Sequence, residues 1–126
     1  KSGLQGVSGI SSDMRDIEAA CLSGNSDAQE AFDLFIHRLL VYIGGYYLLL
    51  GGAEAILFTG GIGENSHATR KALIDALAVY GCELDEEANK KRQVNAIISK
   101  PGSKLVAAII PTNEELMIAQ EAMELI

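Results

Sequence analysis

The chain has 126 residues, of which 48% are hydrophobic and 21% are charged, and its formal net charge is −7 at pH 7. This composition is typical of one folded domain and excludes an intrinsically disordered segment. The acidic balance argues against a partner such as nucleic acid or an anionic membrane, because surfaces that bind these are basic. A nucleotide is still possible, since backbone N–H groups and Mg²⁺ can neutralise its phosphates.

The cysteines and the apolar segments indicate the cellular compartment of the protein. Cys21 and Cys82 form neither a closely spaced metal-ligand pair nor a disulfide framework, so we expect reduced, partly buried thiols. Residues 1–6 lack the apolar core of a signal peptide. The uncharged stretch 39–50 is too short for a membrane span. These features predict a cytoplasmic protein without a membrane segment.

The first predicted elements are a loop and two helices. Residues 1–12 are rich in Gly and Ser, which is typical of a loop. Ser12 or Asp13 is a suitable N-cap for a short helix that ends near Leu22. The long helix predicted over 26–50 is apolar nearly all round. We therefore expect it to be covered on more than one side, either by the core or by a second subunit.

An apolar run over 55–58 ends in the glycine-rich segment 60–63. The unbroken apolar run predicts a strand buried on both faces, as in a parallel sheet covered by helices. The glycines predict a tight turn in which a ligand can approach the backbone, and Asn65 or Ser66 would cap the following helix. Anions favour such helix starts, although a turn of this kind can also bind nothing. The expected buried positions of that helix are Ala68, Leu73, Leu77 and Val79.

The second half of the chain predicts a short edge strand, a charged helix and a hairpin. Residues 81–84 are the candidate edge strand, and 85–92 form a helix with acids first and bases last, which we expect on the surface. Two apolar strands, 94–99 and 105–110, are separated by the turn Lys100-Pro101-Gly102-Ser103.

The last predicted helix begins at Thr112, where Thr112 and Glu115 match a capping box. Glu114 has no capping role and follows directly after the strand at 105–110. If that strand is the parallel neighbour of the strand at 55–59, Glu114 and the glycine segment share one rim of the sheet, where open α/β sheets bind ligands. Taken by itself, an acid at this position more often serves to stabilise the helix dipole.

Other nucleotide-binding motifs fit the sequence less well. The chain lacks the Gly-x-x-x-x-Gly-Lys-[Ser/Thr] pattern of a P-loop. A dinucleotide-binding fold could use Gly61, Gly63 and an acid such as Glu83, but Ser66 stands in place of the third glycine and no clear strand carries the acid. Neither a metal-ligand cluster nor a Ser-His-Asp set is evident in the sequence.

Three segments spread over nearly the whole chain resemble the acetate kinase family. They are Ser8-Gly9-Ile10-Ser11-Ser12-Asp13-Met14-Arg15-Asp16, Thr59-Gly60-Gly61-Ile62-Gly63-Glu64-Asn65-Ser66 and Ile110-Pro111-Thr112-Asn113-Glu114-Glu115-Leu116. This family belongs to the superfamily that includes sugar kinases, heat-shock cognate ATPases and actin. The resemblance implies an α/β fold, part of a ribonuclease H-like (actin-like ATPase) domain with a small mixed sheet flanked by helices.

The resemblance covers only the C-terminal portion of such an enzyme, so residues 1–126 are expected to be its nucleotide-binding part, as a single domain. The family's N-terminal domain and its catalytic Asp, His and arginines have no counterpart here. The antiparallel strands that normally begin the domain are also missing. We therefore expect the small sheet to expose an edge and the chain to self-associate.

The resemblance also implies a site for ATP or ADP and Mg²⁺. The nucleotide-binding residues would be Asp13, Met14, Arg15, Gly60, Gly61, Ile62, Gly63 and Asn65. Arg15 would lie against the base or ribose, and Met14 stands where the family often has an aromatic residue. Glu114 would help to place Mg²⁺ through bound water. No catalytic residue of the family falls in this chain.

The activity implied by the resemblance is reversible phosphoryl transfer from ATP to acetate, which gives acetyl phosphate and ADP. The family dimerises through its C-terminal domains, so a homodimer is also implied. The alternatives are a propionate or butyrate kinase, or a nucleotide-binding or dimerisation module without catalysis. In each case we expect this chain to be inactive by itself, because the groups that contact the acyl and γ-phosphate moieties in the family lie outside it.

Overall fold

The computed structural model describes residues 2–91 and 95–124, which form an α/β fold with a small mixed sheet flanked by helices, as predicted. The strands are β1 (Ala55–Phe58), β2 (Ala96–Ile97) and β3 (Val106–Ile109). The helices are α1 (Gly3–Ser8), α2 (Met14–Leu22), α3 (Ser26–Leu49), α4 (Gly60–Asn65), α5 (His67–Ala76), α6 (Glu86–Lys90) and α7 (Glu114–Glu124). A 3-10 turn, Leu77–Tyr80, follows α5.

The three strands lie in the order β1-β3-β2. β1 and β3 are parallel neighbours, with Ala55 opposite Val106 and Phe58 opposite Ile109, so the condition for a shared rim is met. β2 is antiparallel to β3, so the predicted hairpin is present although β2 is shorter than predicted. Val94 lies outside the described residues. The segment 81–84 contributes only one bridge, from Leu84 to Ser99, in place of the expected edge strand.

β1 is not buried on both faces, contrary to the prediction from its apolar run. Ile56 and Phe58 pack against the main core, whereas Leu57 on the opposite face is 58% exposed. Within the described residues β1 pairs only with β3, so it is an edge strand with helices packed on one of its faces. An apolar run predicts burial but does not say which parts of the chain cover it.

The first residues form a helix and not the predicted loop. α1 ends at Gly9, which has a φ of 69° and closes the helix in the left-handed conformation that glycine adopts easily. Leu4 packs against a small cluster formed by Met14, Ile17 and Ala28. This packing outweighs the low helix propensity of Gly and Ser, which was the basis of the loop prediction.

α3 is nearly the predicted long helix, but one side of its second half is open to solvent. Its buried residues are Ala28, Ala31 and Ile36. The exposed apolar side chains near and beyond its C-terminal half are Val41, Tyr42, Tyr46, Leu48, Leu49 and Leu50. The described part of the chain therefore covers α3 on one side only, and the expected cover on a second side is not found there.

By length and composition alone, α3 also qualifies as a possible membrane span, with a mean hydropathy of 1.2 over its most apolar window. The sequence-based exclusion considered only the uncharged stretch 39–50, which is shorter than the helix. Core helices of globular proteins pass the same test, so this property by itself carries little weight.

The main core lies between α5, the inner part of α3 and one face of the sheet. Leu73 and Leu77 are buried there as predicted, but Val79 is 81% exposed. Val79 falls in the 3-10 turn, whose three-residue period rotates it away from the buried side of α5. Cys82 is buried in this core and Cys21 is partly buried; burial raises the pKa of both thiols, and neither forms a disulfide.

α6 is a surface helix with one buried residue. Asp85 is its N-cap, and Glu86 and Glu87 occupy the first turn, as the charge pattern predicts. Asn89 is the exception, because it is almost completely buried against α5. The remainder of the predicted charged helix, from residue 92, lies outside the described residues.

Candidate functional site

A cleft of about 690 Å³ separates the start of α2 from α4. Its lining residues are Ser12, Asp13, Met14, Arg15, Glu18, Gly61, Ile62, Asn65 and Ser66. Two of the segments singled out in the sequence therefore face each other across one space, although about 50 residues separate them in the chain. The volume is in the range of clefts that bind small molecules and cofactors.

The glycine-rich segment forms the short helix α4 and not the predicted tight turn. Gly60 begins it with a φ of 70°, a conformation that side chains rarely adopt. A Cβ on Gly63 would lie 3.2 Å from the backbone carbon of Phe58, so this glycine lets α4 pack closely on β1. A Cβ on Gly61 would meet nothing within 4 Å. Gly61 thus leaves free space on the cleft side, whereas Gly60 and Gly63, which do not line the cleft, shape the backbone.

Asp13 and Arg15 lie together at the mouth of the cleft. Asp13 is the N-cap of α2, as predicted, because its carboxylate accepts a hydrogen bond from the backbone N–H of Arg15 at 2.9 Å. The Arg15 guanidinium donates to the same carboxylate at 3.0 and 2.5 Å. These bonds lower the pKa of Asp13 to about 2. The side chain of Arg15 is 86% exposed, so it can move without opening the core.

Met14 forms part of the inner wall of the cleft. It is buried, and it belongs to the small cluster with Ile17 and Ala28 that joins α2 to α3. Its flexible apolar side chain suits a surface that contacts a flat ring. The position of Met14 is thus fixed by the packing of α2, while the residue still borders the cleft.

Ser66 connects the two walls of the cleft. Its Oγ accepts a hydrogen bond from the backbone N–H of Thr69 at 2.9 Å, so it is the N-cap of α5, as predicted. The same hydroxyl donates to the carboxylate of Glu18 on α2. Sequence reasoning did not find Glu18, because no spacing pattern relates it to a residue 48 positions away.

Glu64 connects the ends of β1 and β3. Its Oε1 accepts hydrogen bonds from the backbone N–H groups of Gly60 and Thr112, each at 3.0 Å. The Thr112 hydroxyl lies 3.4 Å from the same oxygen. This carboxylate therefore fixes the rim of the sheet that sequence reasoning proposed as a ligand site, and it was not among the predicted residues.

The predicted capping box at Thr112 and Glu115 is wrong. α7 begins at Glu114, and the side chain of Asn113 accepts a hydrogen bond from the backbone N–H of Leu116 at 3.0 Å. Asn113 is therefore the N-cap, since Thr112 is already bonded to Glu64. Glu114 becomes the first residue of α7, directly after the rim that Glu64 fixes.

The predicted magnesium role of Glu114 depends on its side chain, which lies outside the described part of the structure. No group of three or more His, Cys, Asp or Glu side chains that could hold a metal is found in the part of the chain that the structure describes. Mg²⁺ often binds through one or two carboxylates together with water and substrate phosphates. A magnesium role for Glu114 therefore stays a prediction.

Comparison with known proteins identifies the family. The sequence profile of the acetokinase family matches residues 1–120. The chain belongs to this family. Acetate kinase from Desulforamulus reducens is 52% identical over 126 residues, and this match covers all of the chain and 32% of the relative.

Solved structures of the family have the same fold. The crystal structure of Porphyromonas gingivalis acetate kinase superimposes with a TM-score of 0.88 and 41% identity, covering 98% of this chain and 31% of the other. A propionate kinase from Francisella tularensis subsp. tularensis superimposes with a TM-score of 0.84 and 38% identity, covering 95% of this chain and 30% of the other. The chain thus spans about a third of the length of the relatives it matches.

Proposed function

We propose that residues 1–126 are the C-terminal nucleotide-binding part of an acetate kinase, which transfers a phosphoryl group reversibly between ATP and acetate. The observation that carries the proposal is the cleft, in which Asp13, Met14 and Arg15 face Gly61 and Asn65. Membership of the acetokinase family supports the reaction class. The chain spans about a third of each relative, and this supports the proposal that the catalytic groups lie elsewhere in the complete enzyme.

Each predicted nucleotide-binding residue would contact a different part of the nucleotide or shape the backbone around it. Arg15 would stack on the base or ribose, Met14 would contact a ring face, and Gly61 and Ile62 would border the sugar. Asn65 would supply polar groups at the rim of the cleft, and Gly60 and Gly63 would shape α4. A magnesium ion would neutralise charge on the phosphates, held through water near Glu114.

We further propose a cytoplasmic homodimer. The exposed apolar side chains in the second half of α3 form a suitable subunit surface, because contiguous exposed apolar patches mark interfaces. Another part of the enzyme could cover the same side chains instead. The molecular mass of the complete enzyme in its native state shows whether it is a dimer or a monomer.

A propionate or butyrate kinase is the second candidate, and the match to a propionate kinase structure favours keeping it. The acyl group would contact residues outside this chain, so the two candidates share every group described above. Comparison of acetate, propionate and butyrate as substrates of the complete enzyme separates them. A nucleotide-binding or dimerisation module without catalysis is the third candidate.

Calorimetric binding of ADP and ATP to this chain, with and without Mg²⁺, tests the site. Gly61→Val places a side chain in the open space of the cleft, and we expect it to weaken binding by about tenfold or more. Gly44→Val is the matched control, because a Cβ at Gly44 in α3 also meets nothing within 4 Å but lies outside the cleft. Equal effects of the two substitutions would refute the site.

Removal of one cation gives a second test. We expect Arg15→Ala to weaken nucleotide binding by about fivefold, as for a cation–π contact of about 1 kcal/mol. Lys71→Ala is the control, because Lys71 is an exposed cation paired with Asp75 and Glu86 outside the cleft. Binding that responds equally to both would indicate general electrostatic attraction and not a nucleotide site.

Activity requires the complete enzyme. We expect no acetyl phosphate from the pure chain, and we expect activity when the chain replaces the matching C-terminal part of the Desulforamulus reducens acetate kinase. Acetyl phosphate formation by the pure chain would refute the proposal that the catalytic groups lie outside it. Nucleotide binding by the chain without activity in the chimaera would favour the non-catalytic module.

A further inference from the structure

Arg70 on α5 is a buried cation, and its hydrogen bonds within the described part of the chain go to neutral groups. It is 3% exposed and does not line the cleft. Its Nε donates to the Asn89 Oδ1 at 2.7 Å, and its Nη2 donates to the Asn89 carbonyl at 2.8 Å. Its Nη1 donates to the carbonyls of Gly63 and Glu64, both at 2.8 Å. The planar guanidinium thus joins α4 to α6.

This arrangement is costly for the fold by itself. A charge that leaves water without an ionised partner loses its hydration, and burial accordingly lowers the pKa of Arg70, with Glu18 acting in the opposite direction. Apolar side chains of similar volume often stabilise a core as well as buried charges do. The particular contribution of Arg70 is geometric, because its fork binds two successive carbonyls of α4 in one fixed orientation.

α4 depends on such contacts for its position. It has only six residues, and its N-cap residue, Thr59, makes no side-chain capping bond. Helices of this length are not stable without tertiary contacts. Arg70 binds the last turn of α4, while the Glu64 side chain binds the N–H of Gly60 at its start. The residues between these two attachments include Gly61 and Ile62, which line the cleft.

Asn89 orients the Arg70 side chain. It is buried, and its Nδ2 donates to the carbonyl of His67 at 3.0 Å, which fixes the amide so that Oδ1 points to Arg70. The two acceptors of Asn89 and the two carbonyls of α4 account for every hydrogen bond of the guanidinium in the described part of the chain.

We propose that Arg70, oriented by Asn89, is a positioning residue that sets the place of α4 and thereby the affinity of the cleft for nucleotide. Arg70 acts through the backbone of Gly63 and Glu64 and does not touch the ligand. The effect on nucleotide affinity rests on the proposed function. The effect on α4 does not, since it follows from the hydrogen bonds alone.

Hydrogen exchange and nucleotide affinity test the two parts separately. In Arg70→Lys, which keeps the charge but cannot reach four acceptors, we expect exchange in a peptide covering 59–66 to be at least about tenfold faster. We expect ADP to bind about tenfold more weakly, because the residues that contact it are misplaced. Ile98→Val is the control, since Ile98 is a fully buried core residue away from α4, and it should lower the melting temperature without either effect.

If Arg70→Lys does not fold, the variants Asn89→Ala and Asn89→Asp test the proposal in its place. Asn89→Ala removes the acceptor for the Arg70 Nε, and we expect it to behave like Arg70→Lys. Asn89→Asp loses the donation to the His67 carbonyl but keeps an acceptor oxygen and gives the Arg70 guanidinium an ionised partner, so exchange over 59–66 and ADP affinity should stay closer to wild type than in Asn89→Ala. Equal behaviour of the two Asn89 variants, or faster exchange over 59–66 in Ile98→Val, would overturn the proposal.

ADP binding and hydrogen exchange together distinguish failure of the proposed function from failure of the proposed role of Arg70. If the wild-type chain and the chimaera both fail to bind ADP, the proposed function is refuted, while the exchange measurement still decides whether Arg70 positions α4. If ADP binds and its affinity is unchanged in a folded Arg70→Lys variant with fast exchange over 59–66, the role of Arg70 in the cleft is refuted and the proposed function stands.

Discussion

The carboxylate of Glu64 accepts a hydrogen bond from the backbone N–H of Thr112 at 3.0 Å, although the two residues are 48 positions apart in the chain. The same oxygen accepts from Gly60, so one side chain ties together the two turns that leave β1 and β3. These turns lead to α4, which lines the cleft, and to α7, which begins with Glu114. The relative position of the proposed nucleotide and magnesium sites therefore depends on Glu64.

Glu64→Ala should destabilise the chain by about 1–2 kcal/mol, because two N–H groups lose a charged acceptor and are only partly compensated by water. Glu64→Gln should cost about half as much, since the amide oxygen can still accept both bonds. Urea unfolding followed by circular dichroism gives both values. Glu115→Gln serves as the control, because Glu115 is an exposed acid on the neighbouring turn of α7. A loss of stability in Glu115→Gln equal to that in Glu64→Ala would contradict the prediction.

Ser66→Ala should destabilise the chain by about 1–2 kcal/mol, because α5 loses its N-cap and Glu18 loses a hydrogen-bond donor. The free energy of unfolding from chemical denaturation measures this effect. In Ser23→Ala the lost hydroxyl is exposed and donates only to the carbonyl of Ala20, so the change should stay within about 0.5 kcal/mol. The prediction fails if the two serines contribute equally.

The pairing of Asp13 with Arg15 predicts a pH dependence of stability. Because the pKa of Asp13 is about 2 in the folded chain, below its ordinary value, the unfolded chain binds the proton more tightly. The stabilisation is therefore complete above about pH 4 and is lost as the pH falls to about 2.

Asp13→Asn tests this dependence, because Asn also caps helices but does not ionise in this range. The difference in urea midpoint between wild type and Asp13→Asn should be largest at neutral pH and should shrink as the pH falls from 4 towards 2. Added salt should reduce the difference at neutral pH, since the pair is exposed. A difference that does not change between pH 6 and pH 2 would show that the ionised pair is not responsible.

The exposed apolar side chains predict self-association of the pure chain, and two lysine substitutions locate the surface responsible. Leu57→Lys places a charge on the open face of the edge strand β1, and Leu48→Lys places one on the second half of α3. Sedimentation should show Leu57→Lys closer to the 13.4 kDa monomer than wild type if the strand edge mediates association. If only Leu48→Lys has this effect, the prediction for β1 is wrong and α3 is the associating surface.

Sequence reasoning succeeded where the signal is local. Asp13 and Ser66 were identified as possible N-caps because a cap is decided by one side chain and the N–H groups two or three residues later. Each apolar run leads directly towards a helix, so a parallel pairing of β1 and β3 was considered as a condition for a shared rim, and the structure has this pairing. The grouping of Asp13, Arg15 and Gly61 in one site came from the resemblance to the acetate kinase family and not from these local signals, and the three residues do line one cleft.

The missed features depend on residues far apart in the chain. Thr112 was assigned as a cap from its neighbours, but its N–H is held by Glu64, so the helix begins one residue later, after Asn113. The burial of β1 was overestimated because the cover of its second face does not come from the described residues. Arg70 carries no spacing signal at all, since its acceptors lie on two other helices.

The register of β1 on β3 also constrains the order in which the chain can assemble. Ala55 pairs with Val106, so the strand pair closes a loop of about 50 residues. α1, α2 and α3 contact each other within the first half of the chain, and α3 also packs on α5, which follows β1. During synthesis these helices can form before β3 has left the ribosome, so the edge of β1 that β3 later covers is unpaired in that interval. The interval before residues 106–109 emerge is then the period in which β1 is most exposed to pairing with another chain.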